Sequence, residues 1–150
     1  TLVSVPVGSA AGPWSIQARA TGADGSVSDR VQVARGDGRL LGPALVYRTT
    51  PAARAALRPV ADAEFVRSER VHIEWPALGP LEQRTVRVLD RRGAPLALGS
   101  TVGEQAIDGR QMVIVDVPLA PFADGDYVIE VSVCRGDVRE VGQVAVRVIR

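Results

Sequence analysis

Apolar residues recur at every second position along much of this chain, and that period is the strongest constraint on its fold. Trp14, Ile16, Ala18 and Ala20 share one face of a stretch whose other face carries Ser15, Gln17 and Arg19. Val71, Ile73 and Trp75 alternate with Arg70, His72 and Glu74. Tyr127, Ile129, Val131 and Val133 alternate with Glu130 and Ser132, and Val144, Val146 and Val148 with Gln143 and Arg147. A β-strand turns successive side chains to opposite faces. Each stretch therefore predicts a strand with one buried face and one wet face, the antiparallel arrangement. Turn residues punctuate the stretches at 22–25, 36–38, 92–93, 108–109, 124–125 and 136–137.

From Gly42 onward the pattern predicts seven strands, over 43–48, 65–75, 84–90, 94–98, 111–118, 126–134 and 139–149. Strands at this spacing without helices between them indicate an all-β fold, an immunoglobulin-like antiparallel β-sandwich. Residues 2–7, 14–21 and 26–34 predict an additional N-terminal three-stranded segment. Its "VPVGSAAGPWSIQARA" has a counterpart in "VPLAPFADGDYVIEVSV" near the other end. Aligning the two places the N-terminal strands on the last three strands of the sandwich. The expected organisation is thus 1–36, a segment resembling the end of a preceding similar sandwich, and 37–150, a complete one. A helical turn or two is expected over Thr50–Leu57, with Thr50 as cap, Pro51 at the first position and Pro59 as stop.

The repeated element has a physical role. Tyr127 heads a strand just after Asp124-Gly125-Asp126, the position of a tyrosine corner. In such a corner the ring packs inward and the hydroxyl bonds upstream backbone. Trp14 takes the same place in the first copy; its indole donates but does not accept, so that corner is bonded differently.

An apolar share of 46% over 150 residues supports a real core. The net charge of +1, with both signs interspersed, leaves no basic footprint for nucleic acid. No apolar run is long enough to span a bilayer. Every basic residue is Arg, and Asn is absent, which suggests a GC-rich and hence bacterial genome. One cysteine, Cys134, excludes an internal disulfide and a cysteine-based zinc cluster. The start at Thr1 rather than Met leads to the expectation of a processed or excised N-terminus.

Four segments in order, "LLGPALVYR", "AEFVRSERVHIEWP", "RVLDRRGAPL" and "PLAPFADGDYVIEV", resemble the C-terminal region of secreted bacterial proteins that carry a von Willebrand A-type domain, the acidobacterial VWFA-related group. The resemblance spans about 36–150. Phe-x-Arg-x-Glu-Arg and Pro-Leu-Ala-Pro-x-Ala-x-Gly-Asp-Tyr are its more distinctive motifs. It implies a secreted or surface location. It does not extend to the A-type domain, which is expected to be absent together with its metal-binding Asp-x-Ser-x-Ser motif, so no metal-dependent adhesion and no activity carry over.

Candidate sites are few. Arg35-Gly36-Asp37 and Arg135-Gly136-Asp137 are two RGD tripeptides, the second in a hairpin turn, and form a possible adhesive loop. Gly-Asp is also ordinary turn chemistry. His72, the only histidine, falls on a polar strand face with Arg70 and Glu74 and reads as a dispensable surface residue. Asp124 and Asp126 read as turn residues, since calcium needs 6–8 oxygens. "DGSVSD" begins like a calcium-binding EF-hand loop but lacks the Gly and Glu that complete it, and "GDGRLLG" lacks the strand and helix that a dinucleotide turn requires. Cys134 alternates outward and reads as an inert thiol.

With no acid–base pair, nucleophile set or metal cluster in view, an enzyme is not expected. The expected function is a non-enzymatic structural or protein-binding module of a secreted or cell-surface protein. The alternative is a subunit of a pilus-like filament completed by strand exchange between chains. The expected partner is a protein, or another copy through the N-terminal strands. No cofactor, nucleic acid or small-molecule substrate is expected.

Overall fold

The computed structural model describes residues 14–33, 38–50 and 56–150; of Trp14, Gln32 and Val33 it describes the backbone alone. The chain divides into two units, Thr1–Gly38 and Arg39–Arg150. The described part of the first is one antiparallel hairpin, β1 (Trp14–Gly22) and β2 (Gly25–Val33). The strand expected over 2–7 lies outside the described residues. The hairpin register places Ile16 beside Val31 and Ala20 beside Val27, while Gln17, Arg19, Ser28 and Arg30 take the other face.

The second unit is all β among the described residues: β3 (Leu45–Thr49), β4 (Arg58–Pro59), β5 (Glu64–Val66), β6 (Arg70–Pro76), β7 (Gln83–Asp90), β8 (Pro95–Leu96), β9 (Thr101–Ile107), β10 (Arg110–Pro118), β11 (Gly125–Arg135) and β12 (Val138–Ile149). They form two five-stranded sheets, β4-β3-β6-β10-β9 and β5-β12-β11-β7-β8. Every pairing is antiparallel except β5 with β12. The fold is a sandwich of immunoglobulin-like, all-β character.

Several strand predictions need correction. The stretch expected as one strand over 65–75 is two. Val66 N–H donates to the Glu69 carboxylate and Glu69 N–H to Val66 O, both at 2.9 Å. That turn takes the chain from the second sheet into the first. β9 is absent from the predicted strands, because most of its side chains are exposed and no apolar period marks it. β4 is absent from them too. Residues 51–55 of the expected helical turn lie outside the described residues. Beyond them Leu57 is not helical, and Arg58 and Pro59 pair with Arg48 and Tyr47 at a sheet edge. An edge tolerates proline, which has no N–H to give to a ladder.

The core lies between the sheets. Val71, Ile73, Trp75, Val113, Val115 and Val117 face Ile129, Val131, Val133, Val146 and Val148. Phe65, Phe122, Leu40 and Leu41 close its margins. Gly142 makes room for the largest side chain. A Cβ there would lie 3.0 Å from Trp75 Nε1, 3.1 Å from Val131 Cγ1 and 3.3 Å from Leu41 Cδ1. Gly142→Val therefore overpacks this point and should lower the urea unfolding free energy by about 1–3 kcal/mol. An unchanged midpoint would show that Trp75 has slack at this contact.

Candidate functional site

Three neighbouring strands of the first sheet build a polar cluster on its outer face. The register sets Tyr47, His72 and Asp116 in one row, and Leu45, Glu74 and Ile114 in the next. His72 Nδ1 lies 2.9 Å from Asp116 Oδ1, and its Nε2 lies 3.3 Å from Glu74 Oε1. The Tyr47 ring is tilted against the imidazole, centroids 6.0 Å apart. The His72 side chain is 13% exposed, and Glu74 is 7% exposed. His72 is thus not the isolated surface histidine that the sequence suggests. Its partner Asp116 lies 44 residues away and meets it only through strand pairing.

A protonated imidazole can donate to both carboxylates. A neutral one donates to one and turns a lone pair toward the other. The hydrogen bond to Asp116 accordingly raises the His72 pKa, with Glu74 adding to the effect and burial opposing it. Burial raises the Tyr47 hydroxyl, and the charge of Glu74 and a hydrogen bond to it act in the same direction. Both ring nitrogens of His72 face carboxylates, so neither is open to take a proton from a substrate.

At the corner, Tyr127 Oη donates to Ala123 O at 2.9 Å. Its ring meets Phe122 edge-to-face, centroids 4.9 Å apart and 87° between planes. The ring is half-buried rather than fully buried, while Phe122 is the sealed member of the pair. The side chain of Trp14 lies outside the described residues.

Arg35-Gly36-Asp37 also lies outside the described residues. Arg135, Gly136 and Asp137 enter the two-residue turn between β11 and β12, where Gly136 has φ 55° and Asp137 does not have positive φ. One positive φ at the first turn position is the type II′ pattern that suits a twisted hairpin. The Arg135 guanidinium lies against Gly79, where an added Cβ would be 2.5 Å from Nη1. Its arginine therefore lies against the β6–β7 connection, while Gly136 and Asp137 are exposed. Asp124 and Asp126 pair with Arg150 at 3.0 Å and Arg147 at 2.7 Å. Cys134 is half-buried on the outer face. The Asp-x-Ser-x-Ser spacing, expected to be absent, does occur as Asp24-Gly25-Ser26-Val27-Ser28, but it runs from a hairpin turn into β2. There Ser26 Oγ accepts from Arg19 at 3.0 Å. Among the described residues no group of three or more His, Cys, Asp or Glu is arranged to hold a metal ion.

The outer face of the second sheet carries a cluster that no sequence motif marks. Glu130 is 5% exposed and accepts from Arg87 at 2.6 Å and Gln143 at 2.8 Å. The Gln143 bond, with help from Arg87, holds its carboxyl below the ordinary range against the effect of burial. Beside it is an open groove of about 460 Å³ with Leu89, Val128 and Ala145 among its lining residues, flanked by Glu64, Asp126 and Arg147. Of these flanking groups, Arg147 bonds Asp126 and lies 3.8 Å from Glu64. The alternation that predicts these strands also predicts their polar faces, but not which residues on those faces meet. Compared with protein-family models, curated proteins and solved structures, the chain matches none of them.

Two measurements probe these clusters. Tyr127→Phe should cost about 0.5–1.5 kcal/mol, the usual worth of one such hydrogen bond, read from denaturant unfolding. His72 has a folded pKa above its unfolded value of about 6.5. Its contribution is therefore full below that value and is lost as pH rises through the folded pKa. Wild-type stability should fall over that window, and His72→Gln should flatten the fall. Parallel pH profiles for the two proteins would rule out the charged cluster.

Proposed function

We propose that this chain is a non-enzymatic structural or protein-binding module of a secreted or cell-surface bacterial protein. The hairpin β1–β2 is the observation that carries the reading. Ile16 is 55% exposed, Val31 54% and Val27 76%, all on the same face. The opposite face bears Gln17, Arg19, Ser28 and Arg30. Two strands alone are marginal in water, and an apolar face of this kind favours a protein surface over water. The bacterial, secreted setting rests on the all-arginine, Asn-free composition and on the resemblance to the VWFA-related C-terminal region.

A second reading is a filament subunit completed by strand exchange. It is favoured by the pairing of β1 with β2 alone among the described strands, each nine residues long. Analytical ultracentrifugation separates the two. A module gives one discrete species at all concentrations or a simple saturating equilibrium. A filament subunit gives a ladder that keeps growing, and that result would replace the first reading with the second. A panel of chromogenic esters, phosphoesters and glycosides should be turned over no faster than in buffer. A turnover that disappears in a folded His72→Ala variant would overturn the non-enzymatic reading.

A further inference from the structure

The outer strands of the Arg39–Arg150 unit are unequal. β4 and β8 are two residues long and each contains a proline, and β5 is three residues long. These are the usual ways of blunting a sheet edge. Each leaves part of its neighbour open, and two of those parts are partly guarded. β7 beyond β8 carries Arg84 and Arg87, and Arg84 reaches across to Glu104 at 3.0 Å. β12 beyond β5 runs beside the incoming chain, where Arg39 and the Leu40 and Leu41 N–H groups hold Glu140. Among the described outer strands of this unit β9 is the long one. It has seven residues, Thr-Val-Gly-Glu-Gln-Ala-Ile, with no proline and no cation. Its one charge, Glu104, is matched by Arg84.

The β9–β10 turn determines which groups point outward. Asp108 and Gly109 both have positive φ, 49° and 73°, in a two-residue loop of type I′. Ile107 and Arg110 are then the first hydrogen-bonded pair, and bonding alternates from there. Thr101, Gly103, Gln105 and Ile107 bond β10, while Val102, Glu104 and Ala106 turn their N–H and C=O outward. The same alternation directs Gln111 toward β6, and its carbonyl does accept from Ala77 N–H at 2.8 Å.

We propose that β9 is the interface of a twofold dimer, pairing antiparallel with β9 of a second copy. The occupant follows from charge and symmetry. The edge is neutral once Glu104 is paired, so a second copy of it brings no repulsion in registers that keep the two Glu104 residues apart. Pairing centred on Gly103 or on Gln105 does so, whereas centring on Glu104 would oppose two carboxylates. At Gly103 no atom lies within 4 Å of an added Cβ. One open edge used by both copies closes on itself, so assembly stops at two. This goes beyond the module reading and does not depend on the hairpin.

The full chain should sediment as a monomer–dimer equilibrium that saturates at two copies. Ala106→Pro removes an outward N–H without touching the β10 ladder, and should give a monomer with an unchanged unfolding transition. In a Cys134→Ser background, Gly103→Cys or Gln105→Cys should form a disulfide-linked dimer on mild oxidation. Directly opposed residues of a non-hydrogen-bonded pair are about 4.5 Å apart at Cα, within reach of a disulfide. If Ala106→Pro fails to fold, the cysteine variants decide. A monomer at every concentration, species that grow past two, a dimer undiminished in folded Ala106→Pro, or no cross-link at either cysteine would each overturn the proposal.

Discussion

The Glu69 carboxylate sits where the two sheets of the sandwich are joined. It accepts the Val66 N–H, and the backbone of the same residue closes the turn onto Val66 O. Glu69 O also receives Leu119 N–H at 3.2 Å, which ties the end of β10 to the same point. From the first sheet Arg48 reaches Glu69 at 3.6 Å, Glu64 O at 3.0 Å and the Phe65 ring at 5.5 Å. The turn makes one run of chain serve both sheets, with Phe65 buried in one and Val71 in the other. A carboxylate that accepts a backbone N–H satisfies a donor that would be costly to leave unpaired near the core.

The far end of the sandwich uses the same device. Glu140 receives the N–H groups of Leu40 and Leu41, the latter at 3.2 Å, and so seats two core leucines at the entry to the unit. Leu40 O then accepts Leu78 N–H at 2.8 Å, and Gly42 N–H donates to Pro76 O at 2.7 Å. Asp90 caps its own turn by accepting from Arg92 and Ala94, both at 2.8 Å. Acidic side chains thus act here as backbone acceptors as well as partners of arginine. Such groups are committed to structure.

Polar clusters on the outer faces follow a related logic. His72 between Asp116 and Glu74, and Glu130 between Arg87 and Gln143, each sit in the middle of a sheet with large neighbours at their sides. Burial strengthens their hydrogen bonds and makes unpaired members costly. They therefore fix register from outside, as the valines fix it from inside: a one-residue slip would move Asp116 to the core face and Val115 to the solvent face.

Alternation by itself determined that the chain is all β, which residues of β6, β10, β11 and β12 face the core, and where β1, β2, β7, β10, β11 and β12 run; the face it marks as buried on β1 is exposed, with Ile16 55% accessible. Two-residue periodicity is a local property, and a half-buried strand cannot hide it. The Tyr127–Ala123 bond was legible for the same reason, since its partners are four residues apart. Other features were decided only by the tertiary structure. β9 carries no apolar period because its side chains are mostly exposed, and its strand character comes from pairing with β10. The break at Val66–Glu69 is silent in the pattern because β5 and β6 each keep their own alternation. The His72 cluster depends on residues 44 positions apart in the chain becoming neighbours. A sequence specifies which face a side chain takes; only the order and register of the strands specify what it meets there.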